Sequence, residues 1–307
     1  MLYGLDIGGT KIEIAVFTDE FALLERWRVA TPTADYAQFL HTVQQQVLLA
    51  DQRFGQQAPV GIALPGVVEN QGLVISSNVA CLNRQQVETD LVALLQRPVA
   101  IGNDCRLFVL SEAMLGAGRG LRRVFGVILG TGAGGGLCVD GQLYQGRQQL
   151  AGEFGHQCIA GRVLLQYQLP LFECGCGLAG CAETYISGTG LARLYQHFSQ
   201  QQHSTYQWLT ALRQGEVAAR QTFDCYMDAL GSAMASQVLA YDPDVLILGG
   251  GLSDIDEIVQ ALPAAISRHL FSGAKVPAIR RAEFGAASGE RGAAILASRQ
   301  AKQAGSV

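Results

Sequence analysis

The sequence predicts an α/β protein of two domains built on one plan. Three observations carry that reading. At 307 residues, with 49% hydrophobic and 16% charged side chains, the chain exceeds the size at which one core stops growing and has apolar material for two. Each half opens with a strand, a glycine turn and a returning strand: residues 2–7, Gly8-Gly9 and residues 12–17 in the first, residues 124–129, residues 130–136 and Leu137-Cys138-Val139 in the second. After each head, stretches with apolar residues at helical period alternate with short apolar runs of strand length.

A third strand near residues 23–29 completes an antiparallel meander with the first two. From Asp35 to Phe54 the residues Phe39, Val43, Val47 and Ala50 recur near helical period, and Gly55 supplies a left-handed cap. Residues 60–64 form a short buried strand stopped by Pro65-Gly66, and residues 98–101 form another. Asn103-Asp104 stands where a helix opens and runs to about Met114. Gly116, Gly118 and Gly120 then break the pattern, and the domain boundary is expected there. The first domain is residues 1–118 plus 289–307, because a last helix from about Gly289 to Lys302 is long enough to pack back onto it; the second is residues 119–288. In the second domain, helices are expected around residues 190–197 and 216–241, with a strand over residues 244–248 that ends in Gly249-Gly250-Gly251.

Several function classes are excluded. No apolar run reaches the roughly 18 residues of a membrane span, and the N-terminus lacks a signal-type segment, so a cytoplasmic protein with no membrane partner is expected. The net charge is −4 with lysines and arginines dispersed, which leaves no basic stripe for nucleic acid. Eight scattered cysteines do not make the framework of a small secreted domain.

Three of those cysteines carry chemistry. Cys174-Gly175-Cys176 and Cys181, with His156 upstream, supply the four donors of a closed Cys3His zinc site, and four protein ligands leave no position open for water. The metal is therefore structural, and ordering it also orders Glu153 and Glu183, whose carboxylates suit vicinal hydroxyls. Solvated loop charges are the alternative for both glutamates. Glycine turns follow strands at Gly8-Gly9, at Gly130-Thr131-Gly132-Ala133-Gly134-Gly135-Gly136 and at Gly249-Gly250-Gly251, where backbone N–H groups can face an anion. Singly each turn reads as well as a plain hairpin, but three in one chain, with Asp6 and Thr10 around the first, make nucleotide phosphate a strong candidate. Asp6 would hold Mg2+ through water, with Thr10 and Lys11 on the phosphates. None of the turns fits the P-loop or dinucleotide patterns. For a base, Asp104 is the choice, with Asn103 beside it for neighbouring hydroxyls; a helix N-cap is an equal reading of that pair.

These residues together resemble the ROK family of sugar kinases. The segments are Asp6-Ile7-Gly8-Gly9-Thr10-Lys11, Asn103-Asp104, Leu129-Gly130-Thr131-Gly132, Gly152-Glu153-Phe154-Gly155-His156, the Cys174 to Glu183 element and Leu248-Gly249-Gly250-Gly251, in that order along nearly the whole chain. The resemblance implies the actin-like ATPase fold (a duplicated ribonuclease H-like fold), ATP with Mg2+, structural zinc, and phosphorylation of a hexose 6-hydroxyl. It assigns Asp104 as base, and Asn103, Glu153, His156 and Glu183 to the sugar, with Gly66 and Asn78 lining its site. It places the nucleotide on Gly4-Leu5-Asp6-Ile7-Gly8-Gly9-Thr10-Lys11, on residues 130–136 continuing through Leu137, Cys138 and Val139, and on Gly249, Gly250 and Gly251, and it suggests a homodimer. Within the family the opening strand, Asp51-Gln52-Arg53-Phe54-Gly55 and Cys174-Gly175-Cys176-Gly177 are most similar to kinases acting on N-acetyl-D-glucosamine. Fructose, glucose and N-acetylmannosamine are the rival substrates. Family repressors carry a helix-turn-helix domain ahead of the first strand, which here begins at Leu2, so an enzyme is expected rather than a regulator. Two departures stand out: Cys105-Arg106 follows Asn-Asp where the family has Ala-Asn, and no proline follows Val79.

Overall fold

The computed structural model describes residues 1–69, 71–76 and 79–304. In chain order the strands are β1 (Leu2–Ile7), β2 (Lys11–Phe17), β3 (Leu23–Ala30), β4 (Val60–Leu64), β5 (Val67–Val68), β6 (Val74–Ile75), β7 (Val99–Asn103), β8 (Arg123–Leu129), β9 (Ala133–Val139), β10 (Gln142–Leu143), β11 (Val245–Gly249) and β12 (Ala278–Arg281). The helices are α1 (Tyr36–Phe54), α2 (Val87–Leu95), α3 (Asp104–Met114), α4 (Gly161–Tyr167), α5 (Glu183–Ile186), α6 (Gly188–Ser199), α7 (Thr205–Arg213), α8 (Val217–Tyr241), α9 (Asp256–Ser267) and α10 (Ser288–Ala304). Two five-stranded sheets run in the orders β3-β2-β1-β4-β7 and β10-β9-β8-β11-β12. Renumbered within each half, both orders read third, second, first, fourth, fifth, so the duplication expected from the two strand–turn–strand heads is present in the topology.

The chain divides into two compact units. The first comprises Met1–Gly120, Leu137–Ala151 and the C-terminal stretch from Ala286, and the second Leu121–Gly136 and Gly152–Gly285. The segment Leu137–Ala151, placed in the second domain on sequence, thus groups with the first unit. The physical reason is local: Arg299 of α10 donates to the Gly141 carbonyl at 2.7 Å and to Gln142 at 3.1 Å, fastening this segment to the C-terminal helix.

In the first unit, one face of the sheet packs Tyr3, Leu5, Ile7, Ile12 and Ile14 against Phe39, Val43, Val47 and Ala50 of α1. The opposite face receives α10, and it does so through missing side chains. A Cβ on Gly4 would lie 1.9 Å from the Glu290 carbonyl oxygen, and one on Gly61 would lie 1.8 Å from that of Ala293. Because side chains alternate along a strand, Asp6 falls on the same face as Gly4 and meets the first turn of α10. Helix α1 behaves as read: Asp35 Oδ1 accepts from the Gln38 N–H at 3.0 Å, and Gly55 closes it at φ 67°.

In the second unit, β11 lies parallel to β8 and β12, and α8 packs α9 closely enough that a Cβ on Gly231 would meet the Ala265 carbonyl at 2.6 Å. The glycine-rich run is a shorter turn than the sequence suggests. Only Gly130, Thr131 and Gly132 turn, while Gly134, Gly135 and Gly136 belong to β9. Gly135 is needed there for packing, since a Cβ would come within 2.9 Å of the Phe154 ring and 2.4 Å of the Gly126 carbonyl.

Candidate active site

The first unit assembles a group of carboxylates at the end of β1 and the start of α3. Asp6 stands in register with Glu13 of β2 and Ala63 of β4. A Cβ on Gly289, in the first turn of α10, would lie 2.4 Å from Asp6 Oδ2. Burial, followed by repulsion from Glu290, Asp104 and Glu13, holds the Asp6 carboxyl well above the usual carboxylate range, against the pull of Lys11. Arg26 bridges Glu13 at 3.2 Å and buried Glu290 at 2.7 Å, and the Lys11 ammonium lies 2.7 Å from Glu13. A phosphate seeking Lys11 therefore competes with Glu13. A divalent cation would relieve the crowded negative charge around Asp6, and in that sense the residues fit Mg2+.

Asn103 and Asp104 divide the labour that the sequence left open. The cap belongs to Asn103, whose Oδ1 accepts from the Arg106 N–H at 3.1 Å. Its Nδ2 donates to the Gly66 carbonyl at 2.9 Å and to Asp104 Oδ1 at 3.0 Å, and the Cys105 N–H donates to the same Asp104 oxygen at 2.8 Å. The Asp104 carboxylate is thereby oriented rather than used as the cap. Gly66 holds its carbonyl there at φ 120°, where a Cβ would come within 2.1 Å of the Ile75 carbonyl. Gly66 and Asn103 are thus in contact; Asn78 lies outside the described residues.

In the second unit, His156, Cys174, Cys176 and Cys181 bring one donor atom each to within 4.8 Å of one another. Cys174 Sγ lies 3.6 Å from His156 Nδ1, and Cys176 Sγ lies 3.6 Å from Cys181 Sγ. A tetrahedral ion with metal–sulfur bonds of about 2.3 Å sets its sulfurs about 3.8 Å apart, so both the donor set and the spacing fit zinc. Burial raises the Cys174 thiol and pushes Cys181 up to about 12, whereas the Leu178 N–H lowers Cys176.

Glu183, at the start of α5, ties this cluster to the glycine turn. Its Oε2 accepts from the Ala133 N–H at 2.9 Å, and its Oε1 lies 3.8 Å from Cys174 Sγ. Gly155 is pressed against the same turn, since a Cβ there would sit 2.0 Å from the Ala133 carbonyl. Gly250 (φ 79°) packs on Leu129 and Gly130, so the second and third glycine turns are neighbours. By contrast, Leu137 and Cys138 are buried, and Cys138 and Val139 pair with Leu143 and Gln142 in the ladder, so these three are strand residues of the first unit. Glu153, two residues before Gly155, accepts from the His156 N–H through its carbonyl at 3.2 Å.

Sequence reading missed the residues that brace the turns. Gly188 N–H donates to the Gly130 carbonyl at 2.7 Å, and Thr189 Oγ1 to the Thr131 carbonyl at 2.8 Å. Ser187 caps α6 beside them, with its Oγ accepting from the Gly190 N–H at 3.0 Å. Their signal was present as Ser187-Gly188-Thr189-Gly190, a small polar run opening a helix. Glu290 gave no signal, because its nearness to Asp6 depends on where α10 docks.

A twice-repeated sheet order that carries an oriented Asn-Asp pair and a Cys3His cluster joined to a glycine turn is that of the actin-like ATPase fold. The sequence profile of the ROK family matches residues 2–300, and the chain belongs to that family. It is 60% identical over 296 residues to the N-acetylgalactosamine kinase AgaK of Shewanella sp. (strain ANA-3), covering 96% of each chain. It is 41% identical over 299 residues to the N-acetyl-D-glucosamine kinase of Pectobacterium carotovorum subsp. carotovorum (strain PC1), covering 96% of this chain and 98% of that one. Among solved structures, a ROK family glucokinase from Streptomyces griseus in complex with glucose and AMPPNP superposes with a TM-score of 0.79 at 28% identity, over 97% of this chain and 99% of that one.

Proposed function

We propose that this ATP-dependent sugar kinase phosphorylates the 6-hydroxyl of an N-acetylhexosamine, with N-acetylgalactosamine as its first substrate. The observation that carries the choice of sugar is the 60% identity to an N-acetylgalactosamine kinase over 96% of the chain. N-acetyl-D-glucosamine, the substrate expected on sequence, is the second reading, favoured by 41% identity to a kinase of that sugar. The two sugars differ only in the configuration at C4.

In this reading Asp104 accepts the proton of the 6-hydroxyl as that oxygen attacks the γ-phosphorus and the bond to the bridging oxygen of the leaving ADP breaks. The oriented Oδ1 of Asp104 supports that role, because a base must be held in place to act within hydrogen-bond reach. Asn103, Glu153, His156 and Glu183 hold sugar hydroxyls, with Gly66 lining the site. The N–H groups of the turns at Gly8-Gly9, Gly130–Gly132 and Gly249–Gly251 face the phosphates, and Asp6 holds Mg2+ through water. Mg2+ when bound supplies charge neutralisation for the transferring phosphoryl group. His156 Nδ1, Cys174, Cys176 and Cys181 would hold zinc as a structural ion, leaving His156 Nε2 for the sugar. The enzyme works in the cytoplasm and as a homodimer.

The test is ADP release from ATP and Mg2+ with N-acetylgalactosamine, N-acetyl-D-glucosamine, N-acetylmannosamine, glucose and fructose, each over a full concentration range. The highest kcat/KM is expected with N-acetylgalactosamine. A preference for N-acetyl-D-glucosamine would select the second reading, and a preference for a sugar without the acetamido group would refute both.

A further inference from the structure

The chain carries Arg106 in the first turn of the helix that begins with Asp104, and its side chain is not directed to solvent. Arg106 is 3% exposed, its N–H is taken by the Asn103 cap, and its Nε–H donates to the Ala151 carbonyl at 3.2 Å. Ala151 closes the segment Leu137–Ala151, where its own N–H donates to the Gln145 carbonyl at 3.3 Å. The next residues are Gly152, held at φ 99°, and Glu153. A buried guanidinium on the base-bearing helix thus grips the backbone atom from which the loop of Glu153 and His156 departs. A hydrogen bond from a charged donor is among the stronger single contacts a protein makes, and a buried arginine is held only where its donors are used.

We propose that Arg106 is a positioning residue for the sugar: by fastening Ala151 to the first turn of α3, it fixes the backbone from which the acceptor loop, residues 152–156, departs. This inference rests on the reading of the enzyme as an N-acetylhexosamine kinase. It separates Arg106 from Asn103, which orients Asp104 itself. Loss of the clamp therefore weakens sugar binding without impairing the base.

The experiment is Arg106→Met and Arg106→Lys in the full-length enzyme, read by steady-state kinetics and by hydrogen exchange of the amides in residues 145–156. For Arg106→Met, KM for the amino sugar is expected to rise about 10- to 100-fold, the weight of one charged hydrogen bond, with kcat at saturating sugar and KM for ATP changed by less than about threefold. Exchange in residues 145–156 should speed up while that of β4 does not. Arg106→Lys, which keeps the charge and most of the packing, should recover part of the affinity. A fall in kcat with KM unchanged would overturn the proposal, since Arg106 would then serve the base, and so would unaltered exchange in residues 145–156. If the wild-type enzyme phosphorylates no amino sugar, the function reading fails, and the exchange result alone decides whether Arg106 sets this loop.

Discussion

Gly155 offers a way to perturb the acceptor loop by a single carbon atom. It lies between Phe154 and His156, and a Cβ built on it would stand 2.0 Å from the Ala133 carbonyl oxygen, 3.1 Å from that carbonyl carbon and 3.3 Å from Glu183 Cβ. An ordinary carbon–oxygen contact is no shorter than about 3.2 Å, so loop and turn must separate by about 1 Å. Its backbone is not among the left-handed glycines, so Gly155→Ala adds steric load without backbone strain. Overpacking of this kind costs about 1–3 kcal/mol of stability. Displacing catalytic groups by about 1 Å is worth roughly 100-fold in rate. The expected result is a drop in kcat/KM of about two orders of magnitude, with zinc content reduced because His156 moves with the loop. Gly175→Ala is the control. It sits between two thiols of the Cys3His cluster, yet a Cβ there meets nothing within 4 Å. Steady-state kinetics and metal analysis of the two variants decide the matter: a Gly155→Ala enzyme with wild-type zinc and turnover, or a Gly175→Ala enzyme as damaged as Gly155→Ala, would refute this account of the loop.

Asp104→Asn should retain sugar binding by calorimetry while turnover falls by about two to four orders of magnitude, the usual weight of a general base; near-normal turnover would remove Asp104 from the mechanism. Asp6→Asn should abolish activity yet raise the melting temperature of the enzyme without nucleotide. Folding raises the Asp6 pKa, so the wild type loses stability as pH climbs from the ordinary carboxylate value of about 4 toward the folded value, and the advantage of Asn should grow over that window. A lower melting temperature at every pH would contradict the repulsion assigned to Glu290, Asp104 and Glu13. Zinc affinity should fall as pH is lowered, because the Cys174 and Cys181 thiols are raised by burial and must release protons on binding; Cys176→Ser should lose the metal, and a metal-loaded, fully active Cys176→Ser enzyme would rule out the structural role.

The parts of this molecule that were legible in its sequence are those in which a local pattern has one physical solution. The spacing of Phe39, Val43, Val47 and Ala50 permits only a helix with one buried face, and Cys174-Gly175-Cys176 with Cys181 converges on a single point because the intervening glycines let the chain double back. The repeated strand–turn–strand heads were visible for the same reason, and the duplication they announced is present in the two sheet orders. The length of the second glycine turn was not legible. Gly134, Gly135 and Gly136 read as turn residues by composition, but they are strand residues, and the missing side chain of Gly135 admits Phe154 and the Gly126 carbonyl, a requirement set by residues distant in sequence. The surroundings of Asp6 escaped for a stronger version of this reason. Glu290 reaches Asp6 only because Gly4 and Gly61 let α10 lie on the sheet at backbone contact.

The break after α3 shows how one residue can link a legible feature with an illegible one. Gly116, Gly118 and Gly120 announce that the helix ends, yet what holds that end is the buried carboxylate of Glu112. Its Oε2 accepts from the Ala117 N–H at 3.0 Å, its Oε1 accepts from Ser288 Oγ at 2.8 Å, and its carbonyl accepts from the Gly116 and Gly118 N–H groups at 3.2 and 2.9 Å. A Cβ on Gly116 would fall 2.2 Å from Oε2, so that glycine is required by the carboxylate and not by the turn. The chain first leaves the first unit after Gly120 and returns to it for the last time at Ala286, and Glu112 bonds within a few residues of both points. A buried carboxyl group is tolerated when its lone pairs are used this fully, and the use made of it here is to anchor the first exit and the last return on one side chain. Sequence spacing places Ser288 176 residues from Glu112, which is why a glycine-marked boundary could be read while the group that secures it could not.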